Sequence, residues 1–213
     1  NDWTDMNGKM LRSKDYGDTW EAFDMTFKFG GNMPGRGMGE RLAIDPNSHN
    51  ILYFGARSGN GLWKSDNFGE TWAKVSSFPV TGDYVQDPLL PYTADPIGVV
   101  WISFDKSSSE SGKATSRIFV GVAQKSGPTV YQSNDAGATW SAIEGQPLGP
   151  DTAHIMPHHG VIRDSVLYIP YCNKGGPYDG NYGEIWKYNF YTKTWTDITP
   201  HSHLIDEAWG TET

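Results

Sequence analysis

Cysteine is almost absent from this chain. Cys172 stands alone among 213 residues, which excludes an internal disulfide and a cysteine zinc cluster. It lies in the apolar run Val166–Cys172 (VLYIPYC), the setting of a buried, inert thiol rather than a nucleophile. Positive charge is scarce and scattered. No basic cluster exceeds two adjacent residues and the formal net charge is −8, so neither nucleic acid nor an anionic membrane is expected as a partner. No apolar run approaches the ~20 residues that span a bilayer. Helical periodicity is missing over any useful length. The chain opens at Asn1, Asp2 and Trp3 with neither an initiator Met nor a signal-peptide pattern, so the compartment is not read from this end.

What the chain has in excess is aromatics and glycine. Aromatics make up 14%, with nine Trp and eleven Tyr, and Gly numbers 25. Hydrophobic residues at 37% and charged residues at 20% fit a globular protein. Short strands, tight turns and aromatic cores are the expectation, with surfaces that can stack on sugar rings.

A repeat organises these residues. The octad Ser13–Trp20 (SKDYGDTW) recurs as Ser65–Trp72 (SDNFGETW) and as Ser133–Trp140 (SNDAGATW), giving S-x-[DN]-x-G-x-T-W. A degraded fourth copy ends at Thr194 and Trp195, and the tryptophans fall 52, 68 and 55 residues apart. The Asp or Asn side chain can hold backbone N–H groups further along the turn. The Gly can take positive φ, and the Trp plugs an apolar space. This is the Asp-box pattern, or BNR repeat. In the fourth copy Phe190 and Thr192 replace the Asp and Gly, so that turn must close differently.

Four β-prone segments make up the unit around each octad. One unit reads 42–45, 51–56, 61–65 and 71–75; the next reads 101–105, 117–122, 129–133 and 139–143; the third reads 160–163, 166–171, 184–188 and 194–198. A half-unit precedes them. Four short strands every ~50 residues predict an all-β fold, a β-propeller arc of four-stranded blades with Asp-box turns. About three and a half blades over residues 1–200 form an arc, not a ring, so the parent protein is expected to be longer at both ends.

If the strands of a blade are A to D, the Asp-box joins C to D, and loops B–C and D–A share the opposite face. That face carries the long variable loops, where scaffolds place function. The first D–A loop holds five glycines in residues 30–41, with Arg36, Glu40 and Arg41. It lacks phosphate-loop spacing. The second, residues 76–98, holds Tyr84, Gln86, Asp87, Tyr92 and Asp95; the B–C loops hold Arg57, Ser58 and Asn60, then Asn173, Tyr178, Asp179 and Tyr182. Polar side chains with Tyr suit an uncharged polyhydroxylated ligand. The substrate-binding candidates are Arg36, Glu40, Arg41, Arg57, Ser58, Asn60, Tyr84, Tyr178 and Asp179. For each, a loop-stabilising hydrogen bond is the competing role. His154, His158 and His159 lie close in sequence, but no acidic ligand sits at helical spacing and the segment reads as loop, so no metal is expected. No cofactor is implied.

The run Gly30–Pro46 (GGNMPGRGMGERLAIDP), continuing through Phe54–Ser65 (FGARSGNGLWKS), resembles glycoside hydrolase family 74, the xyloglucanases and oligoxyloglucan reducing-end-specific cellobiohydrolases. Ser116–Ala123 (SRIFVGVA), Gly176–Gly180 (GPYDG) and Trp195–Pro200 (WTDITP) extend the match over residues 1–200. The resemblance implies a secreted enzyme of two seven-bladed propellers. A cleft between them takes a xylose-branched β-1,4-glucan, which two Asp residues hydrolyse with inversion. The base belongs to a Thr-Asp-Ile-Gly-Gly type motif ahead of this chain; Thr4–Gly8 (TDMNG) echoes it, but runs into the strand before the first Asp-box. The acid belongs to the second propeller. No catalytic residue is therefore assigned here, and the chain is expected to be inactive alone while supplying one cleft wall. Residues 201–213 (HSHLIDEAWGTET) depart from the family pattern as a divergent tail. The alternative is a non-catalytic Asp-box propeller binding module, sortilin-like or glycan-binding. Sortilins carry a cysteine-rich module, which one cysteine does not support. A sialidase needs three clustered arginines; Arg36, Arg41 and Arg57 are candidates, but the early Arg-Ile-Pro type motif is missing.

Overall fold

The structure is a computed structural model that describes residues 7–27, 29, 33–90, 93–150, 152–176 and 180–200. These residues form four antiparallel sheets with no α-helix among them. The first pairs β1 (Lys9–Arg12) with β2 (Glu21–Asp24). The second runs β3 (Leu42–Ile44), β4 (Leu52–Gly55), β5 (Leu62–Ser65) and β6 (Ala73–Lys74) in order. The third runs β7 (Gly98–Phe104), β8 (Ile118–Ala123), β9 (Val130–Ser133) and β10 (Ser141–Ala142). In the fourth, β11 (Met156–Pro157) and β12 (Val161–Arg163) both pair with β13 (Val166–Cys172), followed by β14 (Gly183–Asn189) and β15 (Thr194–Asp197). The chain is an arc of β-propeller in which each strand lies beside its sequence neighbour, except that β11 and β12 share β13.

The split inner strand of the fourth sheet departs from the expected loop before residue 160. β13 spans seven residues and β12 covers only Val166–Tyr168, leaving Tyr171 and Cys172 free to pair with Pro157 and Met156. Pro157 is tolerated because β11 is an edge strand, where a missing N–H breaks no inner ladder.

Three apolar clusters fill the spaces between successive sheets. Met10, Phe27 and Phe54 join the first to the second. Tyr53, Leu62, Val99 and Val120 join the second to the third. Trp101, Phe119, Leu167 and Tyr188 join the third to the fourth.

The octad turns share one bonding scheme. The Ser hydroxyl oxygen accepts from the Gly N–H, at 2.7 Å in Gly17, 2.9 Å in Gly69 and 2.8 Å in Gly137. The acidic or amide oxygen accepts from the Thr N–H, at 2.8, 3.0 and 2.8 Å. The Trp indole N–H donates back to the Gly carbonyl at 3.0–3.1 Å. The residue before each Gly is left-handed: Tyr16 at φ 57°, Phe68 at 60° and Ala136 at 57°. In the fourth turn Asn189 Oδ1 accepts from the N–H groups of Tyr191 and Thr192 at 3.0 Å, and Lys193 takes the left-handed place at φ 58°. Beside these turns the buried Asp45 carboxylate accepts the Thr115 N–H at 2.8 Å, tying the second sheet to the third.

Candidate functional site

The face opposite the octad turns is built by loops from three sheets lying on one another. Residues 33–41 fold through two tight turns, Arg36 N–H to the Met33 carbonyl and Met38 N–H to the Gly35 carbonyl, both 3.1 Å. Met38 anchors the loop in the core between the third and fourth sheets. Gly39, at φ 47°, lies so close to β7 that a Cβ there would sit 2.5 Å from Trp101 Cβ and 2.6 Å from the Val100 carbonyl oxygen. Only glycine meets both demands. From the fourth sheet, Gly175 closes on the same spot: its Cβ position lies 2.4 Å from Ile97 Cδ1 and 3.4 Å from Gly35 N. The loops after β2 and β13 thus meet over Ile97.

His158 stands at this junction, between the two halves of the split inner strand. Its Nε2 lies 2.8 Å from the Lys174 carbonyl, which makes that nitrogen the donor. Burial holds the imidazole below its ordinary pKa, so it is neutral at pH 7. His159 beside it is exposed. His154 is remote from both, lining a shallow hollow with Ile143, Glu144, Gln146 and Leu148. Among the described residues no group of three His, Cys, Asp or Glu could hold a metal ion.

The predicted residues divide by where their side chains go. Arg36 and Glu40 are exposed, and Ser58 and Asn60 are partly exposed. Asn60 closes its own turn, donating from Nδ2 to the Arg57 carbonyl at 2.9 Å. Arg41 and Arg57 point under the loops. Arg41 Nη1 donates to the carbonyls of Ile97, at 3.1 Å, and Val99. Arg57, 3% exposed, donates from Nη1 to the Pro34 carbonyl at 2.6 Å. Tyr84 does not lie open on this face as expected. It is 1% exposed, with its ring in the core between the third and fourth sheets and Lys125 Nζ 5.0 Å from the ring centre. Its main chain bridges Ala123 and Ile97, which turns the side chain inward. Tyr178 and Asp179 lie outside the described residues.

Sequence reasoning missed the place of His158, weighing it only as a metal ligand. The apolar run Ile155, Met156 and Pro157 is too short, and shows no alternation, to announce a strand. In the adjoining B–C loop Asn173 Nδ2 donates to Asn181 Oδ1 at 2.6 Å, and at the start of β14 the Trp186 indole donates to Glu184 Oε2 at 2.6 Å. The Tyr182 hydroxyl also donates to Glu184, and burial followed by that carboxylate pushes its pKa to about 12.

No family model matches the chain. It is 56% identical over 212 residues, 99% of its length, to a xyloglucanase of a Paenibacillus species. It is 32% identical over 211 residues to an oligoxyloglucan-reducing end-specific xyloglucanase of Emericella nidulans. Among solved structures, a glycoside hydrolase family 74 xyloglucanase of Xanthomonas campestris superposes on 92% of the chain with a TM-score of 0.83 and 36% identity. The chain spans about a fifth to a quarter of these proteins: 20% and 24% of the two relatives and 27% of the solved chain. The resemblance to family 74 read from the sequence over residues 1–200 is borne out over nearly the whole chain.

Proposed function

We propose that this chain is a segment of a family 74 glycoside hydrolase that degrades xyloglucan, and that its loop face forms one wall of the polysaccharide cleft. The observation that carries the reading is the 56% identity to a xyloglucanase over 99% of the chain. The loop face supports it with polar, solvent-facing groups on a scaffold fixed by glycine contacts. In this reading Arg36, Glu40 and Asn60 meet sugar hydroxyls, while Arg41, Arg57, Ser58 and Tyr84, whose side-chain polar groups are buried, hold the loops that present them. Both hydrolytic carboxylates belong to other parts of the full-length enzyme, which is secreted and closes the cleft with a second propeller. Residues 1–200 belong to the propeller arc and 201–213 to a divergent tail.

Arg36 gives the cleanest test, because its exposed side chain makes no hydrogen bond among the described residues. In the full-length enzyme Arg36→Ala should raise KM for xyloglucan about 3- to 10-fold with an unchanged unfolding midpoint. An unchanged KM would remove this loop from the cleft wall.

A further inference from the structure

The inner strands of the third and fourth sheets bulge at the same place. In the third, Val99 faces Val122 and Trp101 faces Gly121, so Val100 is an extra residue. In the fourth, Pro157 faces Tyr171 and Val161 faces Tyr168, so residues 158–160 stand opposite only Ile169 and Pro170. The next ladders align the sheets. Gly55 pairs with Leu62, Gly121 with Val130 and Pro170 with Ile185, each partner three residues before the position that opens its octad, Ser65, Ser133 and Tyr188. Gly55, Gly121 and Pro170 are thus equivalent. Opposite them on the inner strands stand Arg41, Trp101 and His159. The Gly55 N–H donates to the Arg41 carbonyl at 2.7 Å, Trp101 pairs with Gly121, and the β12 register carried two residues back sets His159 against Pro170.

The first two make the same bond across the junction to the following sheet. Arg41 Nη1 donates to the Val99 carbonyl, and the Trp101 indole donates to the Pro157 carbonyl at 3.1 Å. Both acceptors belong to the last residue paired before the bulge, Val99 against Val122 and Pro157 against Tyr171. Both residues are buried. A bulge disrupts the ladder, and the inner strand ends its sheet, so a buried carbonyl there needs a donor from elsewhere. A cationic guanidinium serves at one junction and a neutral indole at the other. What they share is an N–H at the end of a long, flat side chain.

His159 stands in the third such position with its donor unused. Its side chain is exposed, and its imidazole makes no hydrogen bond among the described residues. Val161, two residues on and on the same face of the strand, is 60% exposed. Its counterpart in the third sheet, Ser103, faces the fourth sheet and donates from its hydroxyl to the Gly160 carbonyl. We infer that His159 is the third donor of this series, and that its imidazole N–H bonds a main-chain carbonyl at the inner-strand bulge of a following blade of the same polypeptide. The inference rests on the reading of the chain as a segment of a larger propeller enzyme. It assigns His159 to a junction between blades and not to the sugar-binding wall, because Arg41 and Trp101 point across to the next sheet from the same position.

The full-length enzyme tests this twice. In its crystal structure one ring nitrogen of His159 should lie within about 3.2 Å of a main-chain carbonyl in the next inner strand. In solution, amide hydrogen exchange reads the strength of the bond. His159→Phe keeps a flat ring and removes the N–H, whereas His159→Trp restores it with the side chain that the third sheet already uses. Exchange in the strand that holds the acceptor should run about 3- to 10-fold faster in His159→Phe and return close to the parent rate in His159→Trp. Trp101→Phe calibrates the measurement, because its acceptor strand is seen here: β11 and β12 should show the same acceleration. A His159 imidazole bonded to water or saccharide, or parent-like exchange in His159→Phe, overturns the proposal and leaves the segment reading standing. A full-length structure with no four-stranded blade after residue 200 overturns both.

Discussion

On the octad face, three turns repeat the same hydrogen bonds at distances that agree within about 0.2 Å, and every partner lies within four residues of its donor. On the loop face no two loops share a residue pattern, and the contacts that shape them bridge distant parts of the chain: Arg57 reaches 23 residues back to Pro34, and Arg41 reaches 56 forward to Ile97. The bonds that shape each turn of the first face are local and redundant, with longer ties such as Tyr53 Oη to the Ala136 carbonyl added from outside. The second is a single assembly in which each part rests on another sheet. A lesion on the octad face should stay in one turn, whereas a lesion in the loop assembly should spread.

Gly39 is the sharpest place to break the loop assembly. A methyl group there meets Trp101 Cβ and the Val100 backbone, and the backbone is left-handed as well. Gly39→Ala should cost more than about 3 kcal/mol, combining overpacking with φ strain. Gly37, two residues away, has nothing within 4 Å of its Cβ position, so Gly37→Ala should stay within about 0.5 kcal/mol of the parent. Denaturant midpoints compare the two. Equal costs would mean that the loop moves as a free flap and not as part of the core.

The corresponding lesion on the octad face is Ser65→Ala. The Ser65 hydroxyl is buried, accepts from the N–H groups of Asn67 and Gly69, and donates to Asn67 Oδ1. Its loss should cost about 1–2 kcal/mol. The effect should be confined to amide protection in residues 65–72, with the β8–β9 hairpin unchanged. Loss of protection across several sheets would erase the contrast between the faces.

The same contrast explains what could be read before the structure. The S-x-[DN]-x-G-x-T-W octads carry their own bonding partners, so the C–D turns and the strands around them were legible to within a few residues. The left-handed backbone of Tyr16, Phe68 and Ala136 was not. Propensity assigns that conformation to the Gly that follows, while the turn requires it of two residues in succession. Nor was the burial of Arg41, Arg57 and Tyr84. Arginine and tyrosine in such loops read as ligand contacts, because the carbonyls that take the two arginines and the core that takes Tyr84 lie far along the chain. The second inner strand at Met156 and Pro157 escaped for a related reason: two residues show no alternation, and only the unpaired end of β13 calls for them.

The smallest expected effect separates the octad turns from one another. Asp15 and Asp135 are held down to about 2, chiefly by the hydroxyl and then the N–H of Thr19 and Thr139. Asn67 takes the same place without a charge: its Oδ1 accepts from the Thr71 N–H, while its Nδ2 donates to the Thr71 hydroxyl, which rotates to donate in the other two turns. A carboxyl whose folded pKa lies below its unfolded value of 3.8 stabilises the fold above pH 3.8, and that contribution is lost as pH falls through about 2. Both residues lie at the surface, Asp135 exposed and Asp15 partly so, and solvent screening should keep the loss too small to unfold the chain. In an acid titration the amide proton shifts of Thr19 and Thr139 should move with a midpoint near 2, while Thr71 stays flat. In Asn67→Asp, Thr71 should acquire the same acid step, because the surrounding donors are already in place. A flat Thr71 in that variant would mean that the turns, alike in their distances, differ in the fields they impose on the same side chain.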